Sequence, residues 1–224
     1  MLKPFIIATA VAFSSTAIAA ELNTLEQKSS YFLGAKTANE FQKNGLDIDL
    51  KAFMQGMEDI LAGKEMQLSQ TQIQDMMKQM EKRQMEKMQT IADENAKAGK
   101  AFLAENAKKK GVVTTQSGLQ YKVLTEGKGD SPKATDKVIA HYEGRLINGE
   151  VFDSSFQRGT PAEFGLNQVI KGWQEALQLM KVGSKWEIYV PAELGYGSRG
   201  APPRITPNST LIFTVELMSF VPSK

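Results

Sequence analysis

The side chains best suited to chemistry in this sequence are aromatic rings that lie beside turn residues. Phe152 and Asp153 belong to a Val-Phe-Asp-Ser segment, and Tyr196 stands between two glycines. Large rings next to loops predict a concave apolar pocket with a few polar groups at its edge. Such a pocket can hold an apolar ligand and fix it by hydrogen bonds, without supplying a nucleophile.

The composition argues against most other catalytic chemistry. There is no cysteine, which excludes disulfides, thiol catalysis and cysteine-based zinc sites. The single histidine, His141, disfavours a histidine metal site or a Ser-His-Asp triad, and no nucleotide-binding or metalloprotease motif is present. Lys and Arg number 27 against 25 Asp and Glu, a net charge of +2 that does not indicate a nucleic-acid partner. We therefore expect no metal, no cofactor and no nucleic acid.

The first twenty residues are typical of a secretory signal peptide. Lys3 supplies a positive end, residues 5–13 form an apolar run too short to span a bilayer, and Ala17-Ile18-Ala19 is a cleavage site. The alternative is an N-terminal core helix. The order of these features favours an exported protein without a transmembrane segment, cut after Ala19 or one residue later.

The distribution of proline and glycine divides the remaining chain near residue 110. Residues 21–110 contain no proline and five glycines, whereas residues 111–224 hold seven of the eight prolines and thirteen of the eighteen glycines. This shift predicts helices followed by strands with tight turns, an α+β protein. The expected divisions are a signal peptide (1–20), a helical dimerisation domain (21–68), a long connecting helix (69–110) and a second domain (111–224).

The N-terminal part predicts two short helices and one long helix. The segment 25–44 is compatible with a helix, and Asp49 can cap a second helix whose apolar residues recur at i, i+3, i+4 and i+7. Ser69 and Gln72 form a capping box, after which no strong helix breaker appears before Gly111. Beyond the first half of this long helix the apolar residues thin out. We therefore expect the first half to be buried against another surface and the second half, polar nearly all round, to be a solvent-exposed or bridging strut.

Methionines are concentrated in these helices, with eight of the eleven between Met54 and Met88. Two short helices and half of a long one make a thin core. Homodimerisation would pool two apolar faces, and the flexible methionine side chain suits such an interface. A plain intrachain core and a surface that grips unfolded polypeptides are the alternatives.

The second part predicts an antiparallel sheet with a single helix packed on it. Alternating polar and apolar residues predict strands at 119–124, 137–146, 184–190 and 210–220. Asn148-Gly149 is a hairpin signal, and residues 172–177 predict one short helix that Gly183 closes.

Three segments of this part resemble the signatures of FKBP-type peptidyl-prolyl cis-trans isomerases. The first is YEGRLINGEVFDS at 142–154, the second is QVIKGWQEAL at 168–177, and the third joins PAELGYG at 191–197 to ITPNSTLIF at 205–213. With its signal peptide and helical N-terminal part, the chain is similar to the macrophage infectivity potentiator (Mip) group and to periplasmic chaperone-isomerases of Gram-negative bacteria.

The resemblance implies a fold, an activity and a set of site residues. The fold is FKBP-like, with the sheet wrapped on one short helix, and the activity is X-Pro rotation in exported proteins together with help in folding. The implied catalytic residues are Asp153, Tyr196, Phe152 and Trp173. The implied substrate-binding residues are Tyr142, Arg158, Phe164, Val169, Ile170 and Phe213.

Individual roles also follow from the resemblance. Trp173 is the floor under the proline ring, and Tyr142, Phe152, Val169 and Phe213 are the walls. The Ile170 N–H and the Tyr196 hydroxyl donate to substrate carbonyls. Asp153, paired with Arg158, polarises the rotating amide, and Phe164 supports the rim.

The implied partners are proline-containing polypeptides, a second copy bound through the N-terminal helices, and the macrolide inhibitors rapamycin and tacrolimus. The implied location is the periplasm, or the outer membrane and cell surface, of a Gram-negative bacterium. The alternative function is a holdase chaperone or surface interaction protein in which isomerase activity is secondary. Two departures from the family pattern, Ala162 in place of an aromatic residue and Arg204 in place of an apolar one, bear on macrolide binding and client preference.

Overall fold

The computed structural model describes residues 21–43 and 45–223, so the predicted signal peptide lies outside the described residues. Backbone contacts divide the chain into two compact units, 1–69 and 70–224. The domain boundaries expected at 68/69 and 110/111 stay predictions. Among the described residues, no helix is both long and apolar enough to cross a membrane.

The first unit contains helix α1 (Leu25–Lys43) and helix α2 (Leu50–Leu61). Asp49 caps α2 as predicted, since its carboxylate accepts a hydrogen bond from the Ala52 N–H at 3.0 Å. No residue of α1 is buried. The large apolar side chains left exposed in this unit include Leu33, Leu46, Ile48, Leu50, Met54, Met57 and Leu61. The two helices therefore do not bury their own apolar faces.

The second unit begins with helix α3 (Gln70–Asn106), which has 37 residues and is roughly 55 Å long at 1.5 Å per residue. Its first half leaves Met76, Met77, Met80 and Met85 exposed. The second half is exposed over most of its surface, as expected of a strut, but Ala92, Gly99 and Asn106 are buried against the rest of the unit. Small and amide side chains make this contact, and these residue types carry no apolar periodicity that would have revealed it.

Gly99 of α3 lies against Thr210, the residue just before the last strand of the sheet. A β-carbon at this position would overlap the Thr210 hydroxyl. Two further contacts fasten the end of the helix: the Asn106 amide donates to Gln120 Oε1 at 2.9 Å, and the rings of Phe102 and Tyr189 lie 6.0 Å apart. Glycine is therefore favoured at position 99, because a larger residue would collide with Thr210.

Seven strands form one antiparallel sheet in the order β1-β2-β6-β7-β3-β4, with β5 also paired to β3. The strands are β1 (Val112–Thr114), β2 (Gln120–Thr125), β3 (Lys137–Leu146), β4 (Val151–Ser154), β5 (Ala162–Gly165), β6 (Lys185–Val190) and β7 (Leu211–Val221). The central pair is β3 and β7, whose register runs from Lys137 opposite Val221 to Leu146 opposite Leu211. Alternate residues of β3 are buried, as the sequence pattern predicted.

Two helices occur between strands along the chain. Helix α4 (Ser155–Arg158) is a single turn after β4, and helix α5 (Lys171–Leu179) packs on the sheet. Trp173, Ala176 and Leu177 of α5 are buried in the core. The predicted α+β architecture, an antiparallel sheet with one short helix packed on it, is confirmed. Its consequence for function is that the first turn of α5 packs against residues of β3, β5 and β7.

Candidate functional site

A cavity of about 220 Å³ opens at the N-terminal end of α5. Its lining residues are Tyr142, Phe152, Asp153, Phe164, Gln168, Val169, Ile170, Trp173, Tyr196 and Phe213. Nine of these ten are residues singled out in the sequence. The structure therefore brings together side chains from four strands, the start of α5 with the segment before it, and one loop, which are far apart in the chain.

Trp173 forms the centre of the aromatic cluster. It lies in the first turn of α5 and is only 4% exposed. Its ring meets those of Tyr142, Phe164 and Phe213 edge-on, at centroid distances of 5.2, 5.5 and 5.3 Å. Edge-to-face contacts of this kind are each worth roughly 0.5–1.5 kcal/mol beyond burial. The indole is therefore a rigid platform.

A β-bulge between β3 and β4 positions Phe152 and Asp153. The register pairs Gly144 with Asp153 but Arg145 with Val151, so Phe152 is left without a partner in the ladder. Phe152 packs edge-on against Phe213 at 5.6 Å. Because a β-carbon on Gly144 would overlap the Phe152 ring, glycine is needed for this close approach.

Three polar side chains form a network at the cavity mouth. The Tyr142 hydroxyl donates to Asp153 Oδ2, and Arg158 Nη1 donates to Asp153 Oδ1. Arg158 Nη2 also donates to the Tyr142 hydroxyl at 3.1 Å. Arg158, alone among the predicted residues, does not line the cavity, but it makes the pair with Asp153 that the resemblance implied. The Asp153 carboxylate is thus fixed on both oxygens.

This network also sets the protonation states at the site. Burial alone would raise the pKa of Asp153, but the hydrogen bonds from Tyr142 and Arg158 and the charge of Arg158 outweigh it and hold the pKa below its usual value. Burial, together with the nearby Asp153 charge, raises the pKa of both Tyr142 and Tyr196. Asp153 is therefore ionised and both phenols are protonated at neutral pH.

A flat pH profile follows from these shifts. A lowered aspartate pKa is titrated only at strongly acidic pH, and a raised tyrosine pKa only at strongly alkaline pH. We expect ligand binding and turnover at this cavity to be limited by none of these three groups between roughly pH 5 and pH 9. A pH series of initial rates on the folded protein measures this, and an inflection within that window that disappears in an Asp153→Asn variant would contradict it.

Tyr196 offers a hydrogen-bond donor to a ligand. It lines the cavity and is 41% exposed, and its hydroxyl has no hydrogen-bond partner within the residues that the structure describes. Ile170 is the residue immediately before α5, where the N–H groups of a helix start lack partners within the helix. The Tyr196 hydroxyl is therefore available as a donor at the cavity, and Ile170 borders the cavity at the helix start.

Gln168 is the lining residue that sequence reasoning missed. It ends the 3₁₀ turn Leu166–Gln168, and its side chain lies against Gly165 of β5. Its place at the start of the second signature is the sequence feature that could have identified it.

The two residues that depart from the family pattern, Ala162 and Arg204, do not line the cavity. Within the described residues no group of three or more acidic or histidine side chains is arranged to hold a metal ion.

Comparisons with known proteins agree with this geometry. Residues 128–218 match the family described as FKBP-type peptidyl-prolyl cis-trans isomerase, and residues 26–123 match the domain described as amino terminal to it. The peptidyl-prolyl cis-trans isomerase Mip of Coxiella burnetii is 46% identical over 98% of this chain and 97% of its own length. An outer membrane protein MIP of Legionella longbeachae is 43% identical over 92% of this chain and 91% of its own.

A solved structure shows that the similarity extends to the three-dimensional fold. The crystal structure of FkpA from Escherichia coli superimposes with a TM-score of 0.68 at 39% identity, covering 91% of this chain and all of that one. The similarity therefore includes the helical N-terminal part as well as the sheet that carries the cavity.

Proposed function

The chain belongs to the FKBP-type peptidyl-prolyl cis-trans isomerases, and we propose that the aromatic cavity at the start of α5 is where it rotates X-Pro bonds. The observation that carries this assignment is the meeting of nine predicted residues around one cavity, with Trp173 held by three other rings. An isomerase of this kind needs no nucleophile, because no covalent bond is broken.

The energetic problem is the resonance of the amide bond. Its barrier is about 18–20 kcal/mol, and the twisted transition state has lost the resonance and is less polar than either ground state. A dry aromatic pocket that binds the twisted form more tightly than the planar ones lowers the barrier. A rigid pocket supplies this stabilisation without reorganising during the reaction.

Each lining residue has a proposed role. The proline ring lies on Trp173, between the walls formed by Tyr142, Phe152, Val169 and Phe213, and Phe164 supports the rim. The Ile170 N–H and the Tyr196 hydroxyl hold substrate carbonyls. The ionised Asp153 carboxylate, steadied by Arg158, polarises the rotating amide.

A second copy of the chain is the proposed partner of the N-terminal helices. The support is the exposed apolar face of α1 and α2 together with the methionines of the first half of α3. The other proposed partners are exported proline-containing polypeptides in the periplasm or at the cell surface, and rapamycin and tacrolimus as inhibitors. The name of the Legionella relative, an outer membrane protein, supports export.

A holdase function is the second candidate, and the same exposed apolar surface favours it. That surface belongs to helices, whereas the cavity belongs to the sheet, so we propose two separate sites. Isomerase activity and suppression of aggregation are then separable by mutation.

The Tyr196→Phe variant tests this separation. Loss of one neutral hydrogen bond, about 1 kcal/mol, should lower kcat/KM for an X-Pro peptide roughly fivefold. Suppression of the aggregation of a denatured client should stay at the wild-type level. Both activities are measured on the same preparation, and an equal loss of the two would contradict separate sites.

A further inference from the structure

Arg204 is the departure from the family pattern that the proposed function has not used. It lies between Ala201 and Ser209, in the segment called here the 201–209 loop, and outside the cavity. Its guanidinium Nη1 donates a hydrogen bond to the main-chain carbonyl oxygen of Phe152 at 2.5 Å. This contact joins the 201–209 loop to a residue that lines the cavity.

The position of that carbonyl gives the contact its importance. Phe152 is the residue that the β3–β4 register skips, so the ladder does not fix it as it fixes its neighbours. The Phe152 ring is a wall of the cavity, and the next residue is Asp153. The hydrogen bond from Arg204 therefore restrains the peptide group that joins Phe152, whose ring is a wall of the cavity, to Asp153.

The 201–209 loop is itself held at both ends. Ala201 and Ile205, which flank Arg204, exchange two backbone hydrogen bonds, of 2.8 and 3.1 Å, and Ile205 is buried in the core. Beyond Ile205 the Asn95 amide of α3 donates to Thr206 Oγ1 and to the Pro207 carbonyl, both at 2.8 Å.

Helix α3 receives a contact from the same loop. Asn208 Nδ2 donates to the Ala92 carbonyl at 3.3 Å, which adds a second tie close to Asn95. The loop is therefore fastened to the core and to the long helix, and Arg204 extends from it to the bulge.

We propose that Arg204 is a positioning residue for the isomerase site: by holding the Phe152 carbonyl at the β-bulge it fixes the Phe152 ring and the Asp153 carboxylate, while Asn95 of the long helix holds the loop that carries it. This inference rests on the proposed roles of Phe152 and Asp153. It assigns the second half of α3 a function in turnover, in addition to connecting two units.

The test compares Arg204→Leu with Arg204→Lys and with Arg199→Leu. The leucine variant removes the donor and the charge. The lysine variant restores one donor and the charge. Arg199, in the 3₁₀ turn Gly197–Arg199, carries the same charge, and it makes no hydrogen bond to Phe152 within the described chain, so its leucine variant controls for charge alone.

The first readout is steady-state isomerisation of an X-Pro peptide by the full chain. A displacement of catalytic groups lowers the rate more than it weakens the apolar binding of the proline ring. Arg204→Leu should lower kcat by roughly three- to tenfold and change KM by less than about twofold. Arg204→Lys should recover most of the loss, and Arg199→Leu should match wild type.

The second readout is amide hydrogen exchange in the peptide that covers residues 150–156, which does not depend on isomerase activity. Exchange should be at least about fivefold faster in Arg204→Leu and unchanged in Arg199→Leu, because only the first frees the bulge. Asn95→Ala should produce a smaller change of the same kind, and its effect on kcat should not add to that of Arg204→Leu.

Three outcomes would overturn the inference. One is wild-type exchange in Arg204→Leu, whatever its activity. Another is an unchanged kcat together with a lowered melting temperature, which would make Arg204 merely structural. The third is an equal loss in Arg199→Leu. Failure of the proposed function would look different, because the wild-type chain would then not isomerise the peptide although exchange at the bulge still responded to Arg204.

Discussion

Replacing Asp153 by alanine is expected to lower kcat/KM for an X-Pro peptide about tenfold or more, which corresponds to roughly 1.4 kcal/mol of transition-state stabilisation. The carboxylate accepts hydrogen bonds from both Tyr142 and Arg158. Its removal leaves the guanidinium without its anionic partner and the phenol without its acceptor. A proline-limited peptide assay measures the loss directly.

Two further variants separate charge from position. Asp153→Asn keeps the shape and one acceptor oxygen but removes the negative charge, so it should fall between wild type and Asp153→Ala. Glu193→Ala removes an exposed carboxylate outside the cavity and should behave as wild type. If Asp153→Ala retained full activity while folding normally, the proposed role of the carboxylate would be wrong.

Substitution of lysine for Met57 is expected to convert a dimer of the full chain into monomers. Met57 lies on α2 beside a cavity of about 1080 Å³ between α1 and α2, and is 46% exposed in the single chain. A monomer tolerates a lysine there because the side chain reaches water. A dimer that covers this face would have to bury an unpaired ammonium group, which costs several kcal/mol.

The dissociation constant should therefore rise by a thousandfold or more, since about 4 kcal/mol corresponds to that factor. Ala52→Lys is the matched control, because position 52 lies on the opposite side of α2 and the added charge is the same. Sedimentation velocity over a concentration series measures both variants. A Met57→Lys protein that dimerises as tightly as wild type would rule out this face as the interface.

Much of the site could be predicted because the relevant information is local. Tyr196 and the Val-Phe-Asp-Ser segment lie beside glycines and turns, and that context predicts rings that border a pocket. Trp173 and the other site residues were implied by the resemblance to the FKBP-type signatures. The alternation of β3 and the Asp49 cap are likewise short-range patterns, and the structure has both. Short-range patterns of this kind are sufficient to predict the α+β class.

The contacts of the second half of α3 could not be predicted in the same way. Its docking depends on the small residues Ala92 and Gly99 and on amide hydrogen bonds from Asn95 to a loop more than 110 residues away in the chain. Periodicity detects apolar faces and gives no sign of contacts made by glycine, alanine and amide side chains. The thinning of the apolar residues therefore predicted a strut, but it did not predict the contacts that attach this half of the helix to the rest of its unit.

Arg204 illustrates the same limit at the site itself. The sequence marks it as unusual, but its target is a main-chain carbonyl, which has no signature in the sequence. Only the register of β3 against β4 identifies Phe152 as the unpaired residue of a bulge. Long-range contacts with backbone atoms must be seen in three dimensions.

The central claim is that a rigid aromatic cavity built on Trp173 accelerates X-Pro rotation. The most direct measurement is the rate of cis-trans isomerisation of an X-Pro peptide by the full chain, with and without rapamycin. We predict clear acceleration, and inhibition by stoichiometric rapamycin through occupation of the cavity. No acceleration by a folded protein would contradict the claim and favour the alternative proposal, a holdase function of the helices.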